Sequence, residues 1–286
     1  MSNLAQLDQI IALALAEDIG LGDVTTEATV PAGAVGQAEV IAKQPLVLAG
    51  LDVFVRVYRL VDRRVSIVGD LADGAAVAAG TSVLRLAGPT RALLTGERVA
   101  LNFLMHLSGV ATLTRRLRDA IADHPQVRLL DTRKTTPGLR ALEKAAVVAG
   151  GGANHRHGLF DGILIKENHI RAAGSIRAAV QQARQHAHHL LKVQCEVTDL
   201  DELDQALAAG ADALLLDNMD AALLQQAVQR SRSQRPAVFL EASGNMTIER
   251  MPAVAATGVD GISVGGLTHS APAVDLSFQL RPGVPV

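Results

Sequence analysis

The sequence predicts an α/β protein, an incomplete TIM-like α/β barrel that carries an N-terminal α+β sandwich domain. Three observations predict it. From about residue 110 onward, short apolar runs alternate with stretches of helical periodicity, and repeating βα units of this length imply right-handed crossovers and a parallel sheet. Before that point, residues 35–88 read as short strands separated by Gly-containing turns, with an amphipathic helix on either side. The apolar runs of the second half also end abruptly on charge, as in Ile163–Ile165 followed by Lys166-Glu167-Asn168-His169. Buried parallel strands whose C-terminal ends open into a site have this form. The expected domains are residues 1–108 for the sandwich and 109–270 for the catalytic barrel. A Pro-containing segment, 271–286, is expected to return to the first domain.

Composition narrows the function. The formal net charge of −2 leaves no basic excess to neutralise a nucleic-acid backbone. One Tyr, five Phe and no Trp supply no stacking platforms for single strands. The single cysteine, Cys195, excludes an internal disulfide and fits a reducing cytoplasm. No basic region precedes an apolar core at the start, and no apolar run approaches the length of a membrane span, so a cytoplasmic protein is expected.

In chain order, Leu4, Leu7, Ile10, Ile11 and Leu15 repeat at helical spacing, with Ser2 or Asn3 as a possible cap. Residues 20–29 form a polar loop in which Asp23, Thr25 and Thr26 are expected to bond locally to backbone. Strands are expected at 38–42, 65–68, 77 and 83–86, with turns at Asp73-Gly74 and Ala79-Gly80. The run DGAAVAAGTSVLRLAG is similar to part of a lipoyl-type β-sandwich. That domain needs a lysine at a hairpin tip, and none lies between Lys43 and Lys134. Pro89 opens a helix over 90–107, which Ser108-Gly109 is expected to end. Barrel strands are expected at 127–130, 163–165, 191–197, 213–216, 238–241 and 261–264. Helices are expected at 139–148, 175–186, 200–209, 221–229 and 247–257.

Chemistry in such a barrel sits on the loops after the strands. Reading just past each strand gives Asp131, Arg133 and Lys134; Lys166; Glu196; Asp217 and Asn218; Glu241, Ser243, Gly244 and Asn245; and Gly265, Gly266, Thr268 and His269. The chain has five lysines among 27 basic residues, and Lys134, Lys144 and Lys166 all fall within 129–170, so these cations are read as aimed at an anion. The Ser243-Gly244-Asn245 and Gly265-Gly266 loops suit a phosphate held on backbone N–H groups. Arg133, Arg156 and Arg98 offer bidentate forks for carboxylates, or else surface ion pairs. Glu196 and Asp217 suit sugar hydroxyls or a Mg²⁺, or else pair with Lys134 and Lys166. The His155-Arg156-His157 run lacks the further ligands a zinc site needs. His186, His188 and His189 read as a solvated face.

DTRKTTPGLR (131–140), GGGANHRHGL (150–159), LIKENHI (164–170), LLLDN (214–218), LEASGN (240–245) and VGGLTHS (264–270) together resemble the quinolinate phosphoribosyltransferase family, in order and over nearly the whole chain. The resemblance implies attack of the quinolinate ring nitrogen on C1 of 5-phosphoribosyl-1-pyrophosphate, with loss of pyrophosphate and then CO₂, to give nicotinate mononucleotide for NAD synthesis. It implies a homodimer, or an assembly of dimers, with shared active sites. Arg133, His155 and Arg156, with Arg98 from the neighbour, would clamp the two carboxylates, and Lys134 and Lys166 would face the anionic substrates. Glu196 and Asp217 would hold the ribose hydroxyls and Mg²⁺-pyrophosphate. Ser243, Gly244, Asn245, Gly265 and Gly266 would hold the 5-phosphate, with His269 close by. Gln194 stands where the family often has glutamate, and Gly266 where alanine is common. The rival readings are a same-fold transferase with another acceptor and a non-catalytic phosphoribosyl-pyrophosphate sensor. A Schiff-base role for Lys166 is a further alternative, which the ring nitrogen makes unnecessary once it is quaternised.

Overall fold

The computed structural model describes residues 4–282, so the cap expected at Ser2 or Asn3 lies outside the described residues. Two compact units divide the chain. One comprises Met1–Arg115, Thr136–Gly151 and Ser270–Val286, and the other Arg116–Thr135 and Gly152–His269.

The first unit is built on a four-stranded antiparallel sheet in the order Leu276–Pro282, Val35–Ala42, Ser82–Pro89, Ser66–Val68. The outermost strand on one side therefore comes from the far end of the chain. A two-stranded pair, Leu46–Val47 with Ala76–Val77, accompanies the sheet. Alternation along Val35–Ala42 places Ala38, Val40 and Ala42 in the core, as period-2 burial requires. Asp23 behaves as expected, accepting the Thr26 N–H at 3.0 Å, and in doing so caps a short helix, Val24–Thr29, in the stretch read as loop.

Two elements of this unit differ from the sequence reading. Residues 51–61, read within a run of strands, form the helix Leu51–Val61, which buries Val53, Phe54, Val57 and Tyr58 along one stripe. Its β-branched composition imitates a strand, but the i, i+3, i+4, i+7 spacing prevails. Phe54 and Tyr58, one turn apart, bring their ring centroids to 5.4 Å.

The helix that begins at Thr90 does not stop at Ser108-Gly109 but runs on to Asp119, with the portion from Arg116 onward in the second unit. Ser108 and Gly109 are packing residues, not breakers. The fully buried Ser108 hydroxyl accepts from the Ala49 N–H at 3.1 Å. A Cβ on Gly109 would sit 2.2 Å from the Pro272 carbonyl oxygen, so glycine lets the returning C-terminal segment lie directly on the helix. The helix Arg140–Ala149 also groups with this unit, where buried Glu143 accepts from His106 Nε2 at 2.8 Å and from the Thr136 N–H at 3.0 Å.

The second unit is a six-stranded parallel sheet in the order Arg128–Leu130, Gly261–Ser263, Phe239–Ser243, Ala213–Asp217, Val193–Val197, Ile163–Ile165. Sequential strands are neighbours except that the first pairs with the last. The ladder is thus an α/β barrel left open between Arg128–Leu130 and Ile163–Ile165. Ala153 partly covers that opening. It forms a parallel bridge to Leu130, donating to the Leu129 carbonyl at 2.7 Å and accepting the Asp131 N–H at 3.1 Å. Helices Ile176–His186, Leu200–Ala209 and Ala221–Gln234 follow the strands, capped by Ser175, Asp199 and Asp220, whose side chains accept first-turn N–H groups. The segment read as a helix over 247–257 is helical only at Met251–Ala255. Glu167–Ala173 and Gly266–His269, two short helices the sequence reading lacks, begin directly after strands.

Candidate active site

Period-2 alternation sends one set of side chains from each barrel strand to the interior. In Val193–Val197 that set is Gln194 and Glu196, and in Phe239–Ser243 it is Phe239, Glu241 and Ser243. The middle of the barrel is polar. Glu241, 2 % exposed, accepts from Gln194 Nε2 at 2.8 Å and lies 3.3 Å from His155 Nε2. Gln194 Oε1 is 3.1 Å from the same imidazole nitrogen. The other ring nitrogen, Nδ1, accepts the Arg156 N–H at 2.7 Å, which leaves Nε2 as the protonated nitrogen facing Glu241 and Gln194. Burial pushes the Glu241 carboxyl up, but the hydrogen bonds of His155, Ser263 and Gln194 outweigh it and hold the group below its ordinary range. The His155 N–H in turn donates to Asp131 Oδ1 at 2.8 Å, and Asp131 is fully buried.

Arg156 belongs to this cluster. Its guanidinium donates to the Gly162 carbonyl at 2.9 Å. Its pKa is lowered by burial and by the positive charge of Arg133, while Asp161 opposes the shift. The positive charge of Arg133 is thus felt at Arg156, and both guanidiniums are of the type that binds carboxylates. A cavity of about 650 Å³ is lined by His155, Arg156, Gln194 and Glu241 and extends toward the strand starts at Arg128 and Lys192.

At the strand ends the other candidates fall into three groups. Lys166 Nζ lies 2.5 Å from Glu196 Oε2, one of the two partnerships that the residue types allow. Lys134, His269 and Gly265 meet, since a Cβ on Gly265 would lie 3.0 Å from Lys134 Cδ and 3.1 Å from His269 Nε2. Thr268 Oγ1 donates to the Lys134 carbonyl at 2.7 Å and fixes that loop. Nothing lies within 4 Å of a Cβ built on Gly266, so space alone does not demand glycine there.

The third group joins the loops after Ala213–Asp217 and Phe239–Ser243. Asn218 and Asn245 have φ of 54° and 45°, the only non-glycine residues with positive φ among the described residues. The Asn218 N–H donates to the Ser243 carbonyl at 3.0 Å, and its side-chain amide donates to Asp217 Oδ2 at 2.7 Å. Gly244 has φ +97°, and a Cβ there would lie 2.1 Å from Asn218 Oδ1, so both backbone conformation and space require glycine. Positive φ at Asn218, Gly244 and Asn245 thus gathers beside two strand ends.

Arg98 lies in the first unit, on the helix Thr90–Asp119, with its side chain 58 % exposed and 3.9 Å from Glu97. No group of three or more His, Cys, Asp or Glu among the described residues is arranged to hold a metal ion. No helix among the described residues is long and apolar enough to cross a membrane. The sequence reading named Glu241 among the strand-end residues and Gln194 where the family often has glutamate, but gave neither a role in the site. Their strands set them side by side facing His155, a connection no local signal carries. The left-handed Asn218 and Asn245 could have been suspected, because asparagine is the non-glycine residue that best tolerates that conformation.

Comparison with known proteins agrees with this architecture. Residues 23–108 match the family model of the quinolinate phosphoribosyl transferase N-terminal domain, and residues 110–279 that of its C-terminal domain. A protein of Synechocystis named probable nicotinate-nucleotide pyrophosphorylase [carboxylating] is 46 % identical over 266 residues, 93 % of this chain and 90 % of its own. Nicotinate-nucleotide pyrophosphorylase [carboxylating] of Mycobacterium leprae is 42 % identical over 280 residues, 94 % of this chain and 95 % of its own. The solved structure of the nicotinate-nucleotide pyrophosphorylase from Francisella tularensis superposes with a TM-score of 0.93 at 41 % identity, covering 98 % of each chain.

Proposed function

Since this chain belongs to the quinolinate phosphoribosyl transferase family, we propose that it converts quinolinate and 5-phosphoribosyl-1-pyrophosphate to nicotinate mononucleotide, pyrophosphate and CO₂, a step of NAD biosynthesis. The observation that carries the reading is the cavity on which Arg156 stands beside the His155–Gln194–Glu241 cluster, with the positive charge of Arg133 acting on Arg156. Guanidinium forks suit carboxylates, and a pyridine bearing neighbouring carboxylates is a ligand that can use two of them.

In this reading the ring nitrogen attacks C1 of the sugar, the bond from C1 to pyrophosphate breaks, and oxocarbenium character builds on the ribose. Glu196 and Asp217 stabilise that positive charge, while Lys134 and Lys166 stabilise the anions. CO₂ then leaves from C2 of the ring. The electron pair remains on C2, supported by the quaternised nitrogen, until a proton replaces it. No covalent enzyme intermediate is required.

Mg²⁺ would be carried by the pyrophosphate, as part of the substrate. Mg²⁺ needs only one or two protein carboxylates when phosphate oxygens complete its shell, and Glu196 and Asp217, on neighbouring strands, suit that demand. It would supply charge neutralisation to the leaving group. The loops at Ser243-Gly244-Asn245 and Gly265-Gly266 are assigned the 5-phosphate, with His269 beside them. We further propose that the protein is a cytoplasmic homodimer, or an assembly of dimers, in which Arg98 of a second copy completes the carboxylate clamp.

The test is to mix the protein with quinolinate, phosphoribosyl pyrophosphate and Mg²⁺ and to measure pyrophosphate and CO₂. Stoichiometric release of both is expected. Turnover of nicotinate as efficient as that of quinolinate would refute the dicarboxylate clamp, and absence of both products would refute the activity.

A further inference from the structure

We propose that Arg250, a residue outside every motif read from the sequence, is the positioning residue of the phosphate loop, holding its peptide planes with their N–H groups turned toward the anion. The inference deepens the function proposed above and rests on that reading.

Arg250 lies just before the helix Met251–Ala255 and is only partly exposed. Its guanidinium donates to three main-chain carbonyls, Gly244 at 3.1 Å, Asn245 at 2.9 Å and Met219 at 3.3 Å. No carboxylate among the described residues forms an ion pair with it. A fork that satisfies only backbone oxygens is a clasp, and it spans the loops after two adjacent strands, Ala213–Asp217 and Phe239–Ser243.

The consequence follows from peptide planarity. In a trans peptide the C=O and the following N–H point in opposite directions. When the carbonyls of Gly244 and Asn245 both turn to Arg250, the N–H groups of Asn245 and Met246 must project from the other side of the loop. Neither donates a hydrogen bond within the protein among the described residues. The consecutive positive φ values of Gly244 and Asn245, 97° and 45°, produce this paired orientation, and such successive N–H groups form an anion-binding concavity. The left-handed conformation is less favourable than the right-handed one even for asparagine, so a restraint at Asn245 and Asn218 helps to keep it populated without ligand. Arg250 is that restraint. Lysine in its place would keep the charge but could not present a planar fork to three acceptors.

The experiment measures ribose 5-phosphate and quinolinate binding by calorimetry, and steady-state kinetics, for wild type, Arg250→Ala and Arg250→Lys. The expected result is a rise of at least tenfold in the ribose 5-phosphate Kd for Arg250→Ala and of three- to tenfold for Arg250→Lys. The KM for phosphoribosyl pyrophosphate should rise in step, while the quinolinate Kd stays within twofold of wild type. If Arg250→Ala does not fold, Arg250→Lys carries the test. Wild-type affinity for ribose 5-phosphate in the folded variant, or equal losses for both ligands, would overturn the assignment of Arg250 alone. Failure of the wild-type protein to bind ribose 5-phosphate would overturn the proposed site with it.

Discussion

Replacing Glu241, itself buried, by glutamine changes one atom of its hydrogen-bonded cluster and almost none of its volume. The carboxylate receives donors from Gln194, His155 and Ser263. Glutamine's oxygen can take the place of Oε2, which receives both Gln194 and His155, but as a neutral acceptor, and its NH₂ group meets Ser263, whose hydroxyl must turn from donor to acceptor. The hydrogen bonds lose their charged acceptor, a cost of roughly 1–3 kcal/mol. Urea unfolding at pH 7 should therefore show a lower midpoint with an unchanged slope.

The pH dependence separates this account from a general packing defect. Because the folded-state pKa of Glu241 is depressed, its contribution is fully present above the unfolded carboxyl value, about 4.3, and is lost as pH falls through the lower folded value. The gap between wild type and Glu241→Gln should thus narrow steadily below about pH 4.3. A gap constant from pH 7 to pH 3.5, or one below about 0.5 kcal/mol throughout, would refute the electrostatic reasoning.

Three further outcomes are expected. Gly109→Ala drives a methyl into the Pro272 carbonyl, a backbone atom that cannot swing aside, and should destabilise the protein by about 1–3 kcal/mol or more in thermal unfolding. Cys195 is fully buried and its thiol is pushed up to about 12, chiefly by burial, so a thiol reagent at pH 8 should label it only after denaturation. Mixing Arg98→Ala subunits with Glu196→Ala subunits should restore part of the activity if Arg98 serves a neighbour's site, and verified subunit exchange without recovery would exclude that role.

The parallel barrel could be read from the sequence because each of its strands is a short apolar run closed by charge or glycine, and local pattern alone reports that. The helix Leu51–Val61 could not, because Val53, Val55 and Val57 are strand formers and only burial against the rest of the first unit decides between two acceptable periods. Ser108-Gly109 misled for a related reason. A glycine that ends a helix and a glycine that admits a crossing chain are identical in sequence, and Pro272, which settles the matter, lies far along the chain. The cations and the glycine loops of the site were visible as residue types at strand ends. The Gln194–Glu241–His155 cluster and the Arg250 clasp were not, because each joins residues from different βα units and depends on the inward alternation of the strands or the course of a loop.

The pairing of Leu276–Pro282 with Val35–Ala42 bears on how the molecule is made. While the ribosome is still translating the barrel, the N-terminal sheet has no partner for one side of Val35–Ala42, and that row of amides stays available to any passing strand. Closure waits for Leu276–Pro282. The first unit therefore emerges first yet depends on a contact between strands far apart in sequence, and a chain cut short before Leu276 would keep an adhesive edge.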